Sequence, residues 1–297
     1  MSAARVTIGL PFFNAAATLA DAIRSVFAQT HTQWRLLLVD DGSSDDSLRL
    51  ARNIDDPRVT IISDGVNRGL IHRLNQITRE ADGDLIARLD ADDLMHPDRL
   101  ARQLAYLAAN PDKQIAGTAT YTLDERSRVI GKRGDGPFQP TPRSVLERGL
   151  FVHPTITARR DWMLRNPYDP EFFRAEDLEL WCRLSLPEAG LIDEPLYFYR
   201  ESVPLNLRAY VASCVTTRKV LRRYGPAVCG RAATSMLLAG RWVKEGVYRL
   251  SGTLGYQRYL LNRRSRPLDA AEQLSASQLL AAVRTTQVPG MPVESLD

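Results

Sequence analysis

The chain has 297 residues, 44% of them hydrophobic and 25% charged, with a formal net charge of +4. That is the make-up of a soluble globular protein with room for one large α/β domain and an appendage, or two modest domains. No run approaches the roughly 18 consecutive apolar residues of a membrane-spanning helix, and Val6 opens a strand with no charged-then-apolar leader before it, so neither a span nor a secretion signal is expected.

The first half alternates strand and helix patterns. Val6–Leu10 is a short apolar and β-branched run that stops at Pro11, and Thr18 is placed to cap a helix reaching about Gln29. Trp34–Val39 is continuously apolar, as in a strand buried on both faces. The turn Asp40-Asp41-Gly42-Ser43-Ser44 follows, then a helix to about Arg52, a strand at Val59–Ser63, and a helix from Leu70 to about Ala81. Asp84–Leu89 is the fourth strand, and Pro97 starts a helix that ends before Pro111. Four strand–loop–helix units in succession predict an α/β fold with a doubly wound, mostly parallel sheet.

The second half is less regular. Ile115–Leu123 and Arg128–Gly131 read as a hairpin and Gly134–Pro142 as a loop. Phe151–Thr157 reads as a strand containing His153-Pro154, Glu176–Leu184 as a helix, and Leu191–Arg200 as a strand with Pro195 marking an edge or bulge. The chain is expected to divide at 204/205, with a helical, basic region over 205–297. From Arg200 to Arg266, fourteen Lys or Arg residues stand against two acids, Glu201 and Glu245. Cys182, Cys214 and Cys229 lack metal-ligand spacing and read as reduced thiols.

Ligands on such sheets bind at the carboxyl ends of the strands, so Pro11–Asn14, Asp40–Ser44, Asn67–Gly69 and Asp90–Asp93 are expected to converge. Asp90, Asp92 and Asp93 fall within four positions. Three like charges this close repel unless a cation compensates, and hard carboxylate oxygens suit Mg²⁺ or Mn²⁺ bridging to a substrate's phosphates. No glycine-rich phosphate loop follows the first strand, which also favours a metal as counter-charge. Other readings remain open at this point: Asp40 and Asp41 as a helix cap, Asp177 as an acid that suits a helix's first turn, and Asn67 with Gly69 as a plain turn.

The segments Val6-Thr7-Ile8-Gly9-Leu10-Pro11-Phe12-Phe13-Asn14, Val39-Asp40-Asp41-Gly42-Ser43, Asn67-Arg68-Gly69 with Asn75, Leu89-Asp90-Ala91-Asp92-Asp93, and Ala175-Glu176-Asp177 running into Leu180-Trp181-Cys182-Arg183 together resemble glycosyltransferase family 2, in that family's order. The resemblance covers roughly residues 5 to 200. It implies the GT-A fold, a nucleotide-sugar donor, a divalent metal (Mn²⁺ or Mg²⁺) and inversion at the anomeric carbon. Asp177 matches the family's catalytic base, with Glu176 supporting it. Asp92 matches the metal-binding member of the DxD pair and Asp90 the member nearer the ribose, as a second-shell or direct ligand. Asp41 matches the aspartate that bonds uracil. The donor surface is expected from Pro11, Phe12, Asn14, Asp40, Asp41, Asn67, Arg68, Gly69, Asn75, Asp90 and Ala91.

Acceptor contacts are expected at His153, Trp181 and Arg200. His153 is equally readable as a structural histidine, and Trp181 as core or as a platform for a sugar. Where many family members carry a histidine two residues after the Tyr-Arg pair, this chain has Ser202, leaving a metal or diphosphate contact that Arg200 can take over. The basic region, with Trp242, Tyr248 and Tyr259 among its cations, fits either a helical subdomain packed on the catalytic one or a surface for an anionic membrane; nothing before it supports nucleic acid.

The expected protein is thus a cytoplasmic or inner-membrane-peripheral enzyme. It would move one hexose-type sugar from a UDP-sugar to a glycan or polyprenyl-diphosphate-linked acceptor. Alternatives are a dTDP- or GDP-sugar donor, a nucleotidyltransferase, or a non-catalytic sugar-nucleotide-binding protein.

Overall fold

The computed structural model describes residues 5–201, 207–254 and 265–292. Strand β1 (Val6–Phe12), helix α1 (Leu19–Phe27), β2 (Trp34–Asp40), α2 (Ser47–Arg52), β3 (Val59–Ser63), α3 (Leu70–Glu80) and β4 (Leu85–Arg88) follow in chain order. All four strands are parallel, ordered β3-β2-β1-β4. Alternation along β1 and β2 separates two cores. Ile8, Leu10, Leu36 and Leu38 pack with Leu19, Ile23 and Val26 of α1 on one face. Leu37, Val39 and Ile86 pack with Ile71, Leu74 and Ile77 of α3 on the other. The strand order reverses between β1 and β4, which puts the ligand crevice beyond their carboxyl ends.

The remaining elements are β5 (Leu94–Met95), α4 (Arg99–Ala109), β6 (Ile115–Leu123), β7 (Val129–Arg133), α5 (Pro142–Arg148), β8 (Thr157–Arg159), α6 (Arg160–Arg165), α7 (Glu176–Arg183), β9 (Ala189–Arg200), α8 (Leu207–Leu254) and α9 (Ala270–Arg284). They extend the sheet in the order β4-β8-β6-β9-β5, with β7 on the side of β6. β8 runs antiparallel to β4 and β6, while β9 is parallel to β6.

Two local expectations are corrected. The hydroxyl of Thr18 makes no capping bond to α1; it donates to the Ala15 carbonyl instead. Phe151–Thr157 is not a strand: His153–Thr155 form a 3₁₀ turn and β8 starts only at Thr157. Pro154 has no N–H for a ladder. The carbonyls of Pro154, Thr155 and Ile156 are taken instead by Arg99 Nη2 (3.2 and 3.0 Å, to Pro154 and Ile156) and Gln103 Nε2 (2.8 Å, to Thr155).

Beyond β9, α8 is two helical segments broken at Gly230, whose φ of +79° no other residue type adopts readily. The segments fold back on each other. Arg218 Nη1 meets Glu245 Oε2 at 2.6 Å, the rings of Tyr210 and Tyr248 stack at 4.1 Å, and the Arg218 guanidinium lies 3.6 Å from the centre of the Trp242 ring. The first segment docks on the catalytic body: Val220 joins Phe172, Ala175 and Leu178, and Tyr224 donates to Glu179 Oε1 of α7 at 2.6 Å.

The chain then returns to the sheet. Lys132 and Arg266 exchange backbone hydrogen bonds, Arg284 Nε pairs with Asp21 of α1 at 2.8 Å, and Val288 lies in the first core. The region after residue 205 therefore has a protruding helical hairpin and a terminal part bound to the catalytic body. No helix among the described residues is long and apolar enough to cross a membrane.

Candidate active site

The loops after β1, β2 and β3 build one wall. Asn14, at φ +48°, accepts at Oδ1 from Ser44 N (2.8 Å) and Asp45 N (3.3 Å), tying the first loop to the second. Gly42 and Gly69, at φ +76° and +85°, turn the second and third loops, and so bring the start of α3 against Asp41. The Asp41 carboxylate accepts from Arg68 N (2.8 Å), Gly69 N (3.0 Å) and Arg73 Nε (2.9 Å). Arg73 went unnoticed in the sequence. Its signal was a cation inside the apolar stripe Leu70, Leu74, Ile77 of α3, and it is fully buried there.

Opposite this wall stands the start of α7. A cleft of about 490 Å³ is lined by Pro11, Phe12, Asp41, Asn67 and Gly69 on one side and by Glu176 and Asp177 on the other. Phe13, from the expected Pro11–Asn14 loop, completes it with Leu70, Arg73, Phe173, Arg174 and Ser213, which the sequence did not single out. A second chamber of about 660 Å³ shares Arg174 and Asp177 with it and continues to Glu147, Arg148, Thr217, Arg241 and Lys244. Asp177 therefore stands at the junction of two spaces. Desolvation holds its carboxyl above the usual carboxylate range, opposed by the bond from Leu178 N and by Arg88. Glu176 is raised by burial and by the adjacent Asp177.

Beneath the junction lies a buried polar network. Arg88 pairs with Asp90 (Nε to Oδ1, 2.8 Å; Nη2 to Oδ2, 3.1 Å), and its Nη1 is 2.6 Å from His153 Nδ1. A guanidinium only donates, so His153 Nδ1 accepts and its Nε2–H points to Tyr168 Oη, 2.9 Å away. Burial and Arg88 together push the His153 pKa well below its ordinary value, in keeping with a neutral ring. The backbone of Tyr168 is clamped by the amide of Asn75 (2.8 and 2.9 Å). Glu176 feels the charges of both Arg88 and Asp90, so the network joins the strand-end carboxylates to those of α7.

At the end of β4, Asp92 is exposed and makes no ion pair among the described residues. Its carboxyl is raised by desolvation and by Asp90. Asp93 is buried, and its Oδ1 accepts from Arg200 N at 2.7 Å. Arg200 Nε donates to the Asp92 carbonyl at 2.8 Å and Nη1 to Ser127 Oγ at 2.8 Å, so Arg200 stands with the acidic loop and lines neither space. Ala91 is half-buried in the same loop. Ser202 lies outside the described residues.

Several expected contacts are corrected. Asp40 is wholly buried, accepting from Ser43 N (2.9 Å) and Ser63 Oγ (2.8 Å), and supports the turn that presents Asp41. Asn75 has both amide atoms committed to the backbone of Tyr168 and does not line the cleft. Asn14 Oδ1 is likewise occupied by the second loop, and the Arg68 side chain pairs with Asp64 at 2.7 Å; only its backbone N–H serves the wall. Trp181 is core, 1% exposed and edge-on to Phe151 and His153, so it offers no platform to a sugar. His153 has both ring nitrogens engaged, with Arg88 and Tyr168, and lines neither space.

Hard oxygens at Asp90 and Asp92 fit a divalent cation, although among the described residues no three His, Cys, Asp or Glu side chains converge to hold one. A single open carboxylate suits an ion whose other ligands come from a diphosphate.

Comparison with known proteins bears on the family and the fold. Residues 7–165 match the model of "Glycosyl transferase family 2". A putative glycosyltransferase of Bacillus subtilis, EpsE, is 34% identical over 212 residues, covering 67% of this chain and 74% of that protein. The Escherichia coli enzyme WfgD, a UDP-Glc:α-D-GlcNAc-diphosphoundecaprenol β-1,3-glucosyltransferase, is 29% identical over 180 residues, covering 60% of this chain and 69% of WfgD. In fold, S. aureus TarS 1–349 in complex with UDP-GlcNAc superposes with a TM-score of 0.60 at 15% identity, covering 80% of this chain and 71% of TarS. A Pyrobaculum calidifontis mannosyltransferase with GDP-Man and Mn²⁺ gives 0.51 at 19% identity, covering 87% and 85%. The curled α/β sheet, the loops at its carboxyl edge and the family match lead to one statement: this chain is a glycosyltransferase and belongs to glycosyltransferase family 2.

Proposed function

We propose that the enzyme transfers a single hexose-type sugar, with inversion, from a UDP-sugar to a glycan or polyprenyl-diphosphate-linked glycan during polysaccharide or lipopolysaccharide assembly. The observation that carries this reading is the position of Asp177, between a cleft walled by Asp41 and a second open chamber. The nucleoside would lie against Pro11, Phe12 and Asp41, with Asn67 and Gly69 beside it.

Asp177 then takes the proton of an acceptor hydroxyl, whose oxygen attacks the anomeric carbon from the face opposite the phosphate. The anomeric C–O bond breaks and its electrons leave with the nucleoside diphosphate. Desolvation of Asp177 keeps its basicity closer to neutral than that of an ordinary carboxylate. Arg88 balances the acids on both sides of this centre. Asp92, supported by Asp90, would hold Mn²⁺ or Mg²⁺, which supplies charge neutralisation for the departing diphosphate.

A UDP donor is supported by the UDP-Glc specificity in WfgD's name and the UDP-GlcNAc bound to TarS. A GDP-sugar is the second reading, favoured by the GDP-Man complex of the Pyrobaculum neighbour. Peripheral contact with an anionic membrane is supported by exposed Met236, Val243, Val247 and Leu250, which follow one another at helical spacing on the second segment of α8. Tyr259, expected on that surface, lies outside the described residues. Calorimetric titration of UDP, with and without Mn²⁺, is the direct test. Metal-dependent UDP binding supports the donor site, GDP binding without UDP binding moves the donor, and silence from both removes the proposal.

A further inference from the structure

The second chamber has an electrostatic problem like that of the aspartate cluster, with the sign reversed. Arg148, Arg174, Arg241 and Lys244 line it. The acids in its lining are Glu147 and Asp177, and Glu147 is already paired with Arg143 at 2.9 Å. Arg241 is fixed in place by donating from Nη2 to the Glu147 carbonyl at 2.8 Å, and Arg174 is held at φ +67°. Arg148, Arg174 and Arg241, brought together from α5, the turn before α7 and the outer segment of α8, repel one another unless an anion sits among them. Arg174, Arg241 and Lys244 lie outside residues 7–165, the part that matches the family model.

The helix supplying Arg241 and Lys244 carries a second feature. Met236, Val243, Val247 and Leu250 are 66%, 67%, 48% and 62% exposed and share one face by spacing. Lys244 follows Val243 directly and so lies about 100° round the helix from it. One helix thus shows cations to the chamber and an apolar stripe beside it. An amphiphile with a phosphate head and an apolar chain matches both features; a free sugar matches neither.

We infer that the chamber beyond Asp177 is the subsite for the phosphate or diphosphate of a lipid-linked acceptor, gripped by Arg148, Arg174, Arg241 and Lys244 while its prenyl chain follows the α8 stripe. This rests on the transferase reading, since it takes Asp177 as the point where the acceptor's sugar is activated. The phosphate would set how far the sugar reaches. Acceptors lacking it would be poorly held whatever their sugar.

The test uses the full chain saturated with UDP, so that the donor cleft is filled, and farnesyl diphosphate as the probe. Arg148→Ala and Lys244→Ala remove exposed side chains, and each is expected to weaken farnesyl diphosphate binding by about tenfold, with UDP affinity unchanged. Inorganic pyrophosphate is expected to bind at least tenfold more weakly than farnesyl diphosphate, for want of the apolar chain. Unchanged farnesyl diphosphate affinity in both variants overturns the subsite while leaving the donor site standing. Equal binding of pyrophosphate overturns the lipid-linked occupant. Loss of UDP binding by the unaltered protein would instead overturn the transferase reading beneath it.

Discussion

Arg88 grips Asp90 through two parallel hydrogen bonds and, from the same buried guanidinium, holds the ring of His153. One cation thereby lies within electrostatic reach of Asp90, Glu176 and Asp177. Asp177 is raised by desolvation and pulled back by Arg88. A base must be deprotonated, so kcat/KM should rise with pH through the Asp177 pKa, on a limb above the ordinary carboxylate range. Arg88→Met removes the lowering influence and should move that limb to higher pH, whereas Arg88→Lys keeps the charge and should move it less. A pH–rate profile of the three proteins checks the order, and identical limbs would remove Arg88 from the centre.

Asp177→Asn keeps shape and hydrogen-bonding reach but not basicity. Turnover should fall by about 10²- to 10⁴-fold, while UDP affinity stays within about threefold. Sugar-transfer assays with calorimetry on the same preparation decide it. Parallel loss of binding and turnover would make Asp177 a donor contact.

Asp92→Ala should abolish the part of UDP affinity that depends on Mn²⁺ and leave the metal-free part. Titrations at zero and saturating Mn²⁺ give the two numbers. An undiminished metal response would remove Asp92 as the ligand.

Trp181→Ala empties a core position and should cost about 3–5 kcal/mol in denaturant unfolding. Trp181→Phe should be far milder. Trp181 is a core residue, so transfer by the folded Phe variant should keep its acceptor KM. A raised KM with unchanged stability would restore the platform.

Breaking the buried pair between the two segments of α8 by Glu245→Ala leaves Arg218 uncompensated and should destabilise the hairpin by about 3–5 kcal/mol. Arg218 is 4% and Glu245 6% exposed at the side chain, which is why the cost is that of an interior pair. Proteolysis should then cut within α8 well before the catalytic body unfolds.

The parallel half of the fold was legible because β1, β2 and α3 obey simple periods and each carboxylate loop ends a strand. Asp41 and the Asp90–Asp93 cluster stood out for the same reason, whereas Asp177, at the start of a helix, stood out only through the family resemblance. What escaped depended on partners far along the chain. Asp40 and Asp41 are adjacent and alike in sequence, yet strand alternation buries the first against Ser63 and turns the second toward the cleft. Asn75 and Trp181 match the family pattern without lining the cleft: Asn75 holds the backbone of Tyr168, and Trp181 packs edge-on against Phe151 and His153. Arg73 and Arg174 reach the site only through tertiary packing. The short helices α5 and α6, at seven and six residues, are too brief to establish a period.

The last described stretch of the chain binds the protein in a way that bears on its evolution. Strand β9 ends at Arg200, and the backbone is again on the sheet at Arg266, paired with β7 two strands away. The α8 hairpin is therefore an excursion between two anchored points, with α9 and Val288 locked onto α1 and the first core after it. Such an excursion can be exchanged between relatives without disturbing either anchor. Its first segment, which lends Ser213 to the cleft and docks on α7, is the part through which any such exchange would be felt on the donor side.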